Sequence, residues 1–209
     1  MQNHSCMRAK LIASEPPINI VDAMKCLAIQ SSPNVDGLTA SCARAVLDGF
    51  EAEGGETELV HLNQMDIKPC LACERGWGQC RQGECIQEDD LELLRNKIGE
   101  ADAFVFVSPV YFHGLSESAK RFLDRFRRVE AFSGRDTLVG TRAIGVAAAG
   151  GSGNGAARAL VDLEDYFKRV GLEIVDLVTM TKFSREHRLP MLEQAGRRLA
   201  QGAPGIKNR

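Results

Sequence analysis

From Met24 onward the chain alternates short apolar runs with amphipathic ones, five of each, and this alternation limits the fold more than any other feature. The apolar runs cover residues 25–30, 57–62, 103–107, 143–148 and 173–180. After each run the period becomes helical. Ala43, Val46, Leu47 and Phe50 share one face; Leu91, Leu94 and Ile98 share another. Ala119, Phe122, Leu123 and Phe126 follow the third run, and Ala156, Leu160, Leu163, Phe167 and Val170 the fourth. A last helix is predicted over residues 191–201, directly after Pro190. Asp89 or Asp90 and Ser116 can cap helix starts, and Gly54-Gly55 and Gly171 can close helix ends. Strict βα alternation predicts one doubly wound α/β domain, its five-stranded parallel sheet covered on both faces by right-handed crossovers. Apolar strands such as 103–107 agree with burial on both sides. Ligands of such sheets bind outside the carboxyl ends of the strands. The loops after the first, third and fourth strands are therefore the candidate sites.

Composition narrows the function classes. A net charge of -2 argues against a nucleic-acid protein, although residues 182–209 carry seven Lys or Arg against two Glu. The longest clean apolar run is strand-sized, so no membrane span is predicted. The N-terminus lacks the charged-then-apolar plan of a signal peptide, and the expected location is cytoplasmic. Seven cysteines are then not read as a disulfide framework. The predicted organisation is an extension over residues 1–23, broken by Pro16-Pro17, followed by a single domain over 24–209.

Each candidate loop is unusual. The first, Ser31-Ser32-Pro33-Asn34-Val35-Asp36-Gly37-Leu38-Thr39, joins a strand to a helix whose start offers N–H groups and a positive dipole end. A phosphate would be held there by backbone N–H groups, the Ser31 and Thr39 hydroxyls and the Asn34 amide. The loop holds no lysine, which excludes a nucleoside-triphosphate P-loop. A plain turn and helix cap would use the same residue types. The second, Ser108-Pro109-Val110-Tyr111-Phe112-His113-Gly114, offers two aromatics against which a flat ring could pack; the plainer alternative is core filling. The third, Gly150-Gly151-Ser152-Gly153-Asn154-Gly155, lets a ligand approach the backbone closely, or is simply a flexible connection.

Taken together, these residues resemble the NADPH-dependent FMN reductase group of the flavodoxin superfamily, especially its iron–sulfur flavoprotein branch. The resemblance runs from Met24 to Thr181 and rests on Ser31-Ser32-Pro33, Gly37-Leu38-Thr39, Glu88-Asp89-Asp90 and Ser108-Pro109-Val110-Tyr111-Phe112. It implies a flavodoxin-like sheet of strand order 2-1-3-4-5. It assigns the FMN phosphate to Ser31, Ser32, Asn34, Leu38 and Thr39. The isoalloxazine falls to Pro109, Val110, Tyr111, Phe112 and His113, and its pyrimidine side to Gly150 and Gly151. Leu38 stands where the family usually has Asn, and Asn34 where it commonly has Arg. The resemblance also implies a homodimer or homotetramer.

Cys70, Cys73, Cys80 and Cys85 put four thiols in 16 residues. Soft thiolates suit an iron–sulfur cluster or tetrahedral zinc. The iron–sulfur flavoproteins space their first three cysteines two residues apart, whereas this chain has Glu74-Arg75-Gly76-Trp77-Gly78-Gln79 before its third. A [4Fe-4S] cluster, zinc, and free or redox-active thiols are all open readings, while Cys26 and Cys42 read as structural. The expected function is an FMN oxidoreductase that takes electrons from NAD(P)H or another donor and passes them to a quinone, a flavin or a protein. Hydride transfer to a flavin requires no protein acid or nucleophile, and no catalytic side chain is assigned. The alternatives are a non-enzymatic flavin or iron–sulfur electron carrier and a zinc-stabilised scaffold.

Overall fold

The computed structural model describes residues 23–134 and 138–202. The predicted arm, except for Ala23, and the last residues of the predicted domain lie outside the described residues. Five parallel strands form the sheet: β1 Lys25–Gln30, β2 Glu56–His61, β3 Ala103–Tyr111, β5 Arg142–Ala149 and β6 Glu173–Thr181. Their order is β2-β1-β3-β5-β6, the expected topology. A two-residue strand, β4 Gly114–Leu115, pairs antiparallel with the end of β3. Two residues carry too little pattern to be seen in sequence.

Alternation along each strand divides the core into two layers. Leu27, Ile29, Phe104 and Phe106 meet α2 Leu91–Gly99, α3 Glu117–Glu130 and α4 Ala156–Arg169. Cys26, Ala28, Val105 and Val107 meet α1 Leu38–Glu51 and α5 Arg185–Ala200 on the other face. Burial pushes the Cys26 and Cys42 thiols up to about 12, as structural thiols require.

The start of α5 corrects the sequence reading. The helix begins at Arg185 and carries Pro190 within it. Pro190 has no N–H to give the Glu186 carbonyl, but the seam with α1 outweighs that loss. There the two helices cross backbone to backbone. A Cβ on Gly49 would stand 2.0 Å from the Glu193 carbonyl oxygen, and one on Gly196 2.0 Å from that of Val46.

Candidate functional site at the carboxyl edge

The first loop leaves β1 and enters α1 at Gly37. Among the described residues no side chain caps α1, and its first turn carries no acidic residue. That helix start therefore keeps its positive dipole end free for an anion. Inside the loop, Ser32 Oγ accepts from the Asn34 N–H at 3.2 Å, and Asn34 Oδ1 from the Asp36 N–H at 3.3 Å. Thr39 is buried and Leu38 half-buried at the helix start. Ser31 is used differently from expectation. It is buried, and its hydroxyl hydrogen-bonds that of Ser116 at 2.9 Å, with the Val107 carbonyl at 3.4 Å. Its carbonyl accepts from Asn63 Nδ2 and Ser118 Oγ, both at 2.8 Å. Ser31 is thus a cross-link beneath the edge rather than a group presented to a ligand.

The second loop is a tight hairpin. Tyr111 pairs with Gly114, leaving Phe112 and His113 as the turn, with φ of 44° and 70°. Non-glycine residues rarely adopt this left-handed conformation, and two in succession store local strain. At the tip of the turn the Phe112 ring is in solvent, where it stacks on His113 at 5.7 Å. Tyr111 beside it is half exposed. Below, Ser108 Oγ accepts from the Ser116 N–H at 3.1 Å and donates to the Pro109 carbonyl at 2.9 Å.

The glycine loop lies against this hairpin. A Cβ on Gly155 would sit 2.3 Å from His113 Cα, so only glycine permits the approach. Between the two loops is a cleft of ≈ 240 Å³, bounded by Val110, Phe112, His113 and the backbone of the glycine loop. Gly151 lines it. Among the described residues nothing lies within 4 Å of a Cβ built on Gly150 or Gly151. The structure thus gathers Val110, Phe112, His113 and Gly151. It sets Pro109 beneath them and Ser32, Asn34, Leu38 and Thr39 farther along the same edge. Sequence reasoning missed four of the supports: Gln30, His61, Asn63 and Ser118. Gln30 and His61 end β1 and β2, Asn63 follows β2 and Ser118 lies in the first turn of α3, and spacing alone does not connect them.

The cysteine loop is clipped at both ends. Asp89 accepts from the Lys68 N–H at 2.8 Å and from the Leu91 N–H at 3.1 Å. The buried Arg125 guanidinium pairs with Asp89, donates to the Lys68 carbonyl at 2.9 Å and reaches Cys85 Sγ at 3.2 Å. Burial alone would raise the Asp89 carboxyl. The Arg125 guanidinium and the Lys68 and Leu91 N–H groups hold it below the ordinary value instead. At the loop's tip, Trp77 packs edge-on against Phe132 at 5.3 Å under the Arg128 guanidinium. Cys70 is exposed, and Cys73, Cys80 and Cys85 are half-buried. Among the described residues no three thiols, imidazoles or carboxylates converge on a point that could hold a metal. The donor set has the right chemistry for a cluster; the arrangement is not a preformed cage.

Comparison with known proteins adds family to fold. The family described as NADPH-dependent FMN reductase matches residues 24–183. An iron–sulfur flavoprotein of Methanocaldococcus jannaschii is 35% identical over 130 residues, 61% of this chain and 65% of that protein. One of Archaeoglobus fulgidus is 36% identical over 103 residues, 49% of this chain and 45% of that protein. The chain therefore spans less than two-thirds of the length of these curated relatives. Among solved structures, an NAD(P)H:quinone oxidoreductase from Methanothermobacter marburgensis superposes with a TM-score of 0.68 at 22% identity. That superposition covers 85% of this chain and 96% of that one. An archaeal flavodoxin superposes at 0.59 with 16% identity, covering 86% and 99%. Likenesses of this order speak to the fold.

Proposed function

Because the chain belongs to the NADPH-dependent FMN reductase family, we propose that it binds FMN along the carboxyl edge and moves electrons from NAD(P)H to a quinone, a flavin or a protein. The observation that carries this reading is the pairing of an uncapped α1 start with an open cleft between the Phe112-His113 turn and the glycine loop. An anion and a flat ring are what those two features suit.

In this reading the first turn of α1, with Ser32, Asn34, Leu38 and Thr39, holds the phosphate. Pro109, Val110, Tyr111, Phe112 and His113 form one wall for the ring, and Gly150 and Gly151 the other. FMN, when bound, supplies the hydride and electron chemistry. The protein supplies position: the β3–β4 hairpin, with Gly155 packed against His113, fixes the ring wall, and buried hydroxyls beneath tie it to the phosphate loop. A bare glycine backbone offers N–H groups to ring carbonyls and lets the ring lie close enough to exclude water.

The test is direct. Protein purified with FMN should show the flavin absorption bands with one flavin per chain and oxidise NAD(P)H in steady state when given a quinone. Failure to bind FMN would sink the reading. Bound flavin without NAD(P)H turnover would favour a non-enzymatic electron carrier. Size-exclusion chromatography with light scattering tests the homodimer or homotetramer that accompanies this reading.

A second reading is favoured by the four thiols of one clipped loop and by relatives called iron–sulfur flavoproteins. Here Cys70, Cys73, Cys80 and Cys85 hold a [4Fe-4S] cluster after the loop closes round it. Anaerobically purified protein would contain about four iron atoms and four acid-labile sulfides per chain; zinc alone, or no metal, would remove this reading.

A further inference from the structure

Gln30 is buried at the carboxyl end of β1, immediately before the phosphate loop. Its side-chain amide is gripped by Ser32 on both sides. Oε1 accepts from the Ser32 N–H at 2.8 Å, and Nε2 donates to the Ser32 carbonyl at 3.0 Å. Backbone polarity is not negotiable, so these two bonds fix which end of the amide is the NH₂ group. The remaining N–H of that group faces Nδ1 of His61, at the end of β2, 2.6 Å away. An NH₂ group only donates, so Nδ1 must accept. His61 is therefore a neutral imidazole carrying its proton on Nε2.

A proton on Nδ1 would set donor against donor. Rotating the Gln30 amide by half a turn would satisfy His61 but oppose both Ser32 groups. Gln30 is shielded from water that could repair either mismatch. The surroundings favour the neutral form. Burial, and then the charge of Arg44 on α1, hold the His61 pKa below its ordinary 6.5. The other charged groups of the elements packed on β2 do not offset this. Glu51 of α1 hydrogen-bonds Thr57, and Lys97 of α2 pairs with Glu58. Lys25 and Glu56 lie at the opposite end of the β1/β2 pair, and of the α1 charges Arg44, not Asp48, acts on the imidazole.

We infer that His61 is a positioning residue for the phosphate loop. Its neutral imidazole locks Gln30 in the one orientation that holds Ser32, so a proton on His61 loosens the loop and weakens its grip on the phosphate of FMN. The inference rests on the FMN reading above and deepens it by adding a pH-sensitive support behind the site.

Two measurements test it. In the flavin-free protein, imidazole ¹⁵N shifts should report the Nε2–H tautomer of His61 and a pKa below 6.5. An Nδ1–H tautomer would overturn the inference without touching the FMN reading. The second measurement is FMN affinity, followed by fluorescence quenching from about pH 8 to about pH 5, across the histidine range. Wild type, His61→Asn and His61→Phe are compared. Asn can accept from Gln30 but cannot take up a proton in this range. The FMN phosphate and the other groups of the site are common to both proteins, so the H61N profile carries every contribution except that of His61. The wild type should match H61N at high pH. On acidification it should lose about tenfold more affinity, the equivalent of one buried hydrogen bond. H61F should bind weakly throughout. Identical profiles for wild type and H61N would overturn the inference. So would a wild-type affinity that rises on acidification, because His61 would then act as a cation toward the phosphate. If the wild type binds no FMN even at high pH, the flavin reading itself fails, a result separable from the tautomer measurement.

Discussion

The hydroxyls of Ser31 and Ser116 lie 2.9 Å apart although 85 residues separate them in the chain. One belongs to the loop after β1 and the other caps α3 behind the Phe112-His113 turn, where its oxygen also accepts from the Ala119 N–H at 3.2 Å. The contact makes the two halves of the candidate site one unit. Ser116→Ala should lower stability by about 1–2 kcal/mol, a lost cap and a lost buried hydrogen bond. It should also weaken FMN and riboflavin together, as urea unfolding and flavin titration can measure. A mutant that loses FMN affinity only, with riboflavin unchanged, would show that the loops are independent.

Gly155 should tolerate nothing larger. Its φ is +83°, and a Cβ would collide with the His113 backbone. Gly155→Ala is expected to cost at least about 2 kcal/mol from left-handed strain and overpacking. The ring wall should be displaced along with it. Gly150→Ala, whose Cβ would meet open space, should leave stability within about 0.5 kcal/mol. Thermal unfolding of the two variants decides the contrast.

The buried pair of Arg125 and Asp89 has a defined pH signature. The Asp89 pKa is held below 3.8, so its contribution is complete above 3.8 and disappears as pH falls through the folded-state value. Asp89→Asn should flatten this acid limb. Arg125→Met leaves the carboxylate buried without its partner, a loss of about 3–5 kcal/mol near neutrality. Burial then raises the Asp89 pKa, and mild acidification should recover part of the lost stability. Denaturant unfolding at a series of pH values reads both signs.

The crossing of α1 and α5 predicts a fourth structural liability. Gly49→Ala or Gly196→Ala forces the helices apart against a carbonyl oxygen 2.0 Å away. Each should destabilise by about 1–3 kcal/mol, as overpacking does. Chemical denaturation checks this, with Gly54→Ala as the comparison for left-handed strain without a clash, since a Cβ there meets no neighbour.

The sequence displayed the sheet well because parallel strands buried on both faces are written as apolar runs. It also displayed the three edge loops, which needed only glycine, proline and aromatic residues in order. It misplaced the start of α5 because Pro190 is a local breaker, whereas the seam of Gly49 against Gly196 is a tertiary contact. It assigned Ser31 to a ligand because its partner, Ser116, is remote in the chain. The Gln30, His61 and Ser32 cluster was invisible for the same reason: no spacing rule joins the ends of two neighbouring parallel strands.

Trp77 is the chain's one tryptophan, and it sits at the tip of the cysteine loop between Phe132 and Arg128. The loop therefore carries a built-in optical probe. Tryptophan emission, excited selectively, reports the docking of that loop on α3, with no background from the rest of the fold. Oxidation, metal loading or a change at the loop's neck can be followed by a single intrinsic signal, without a label.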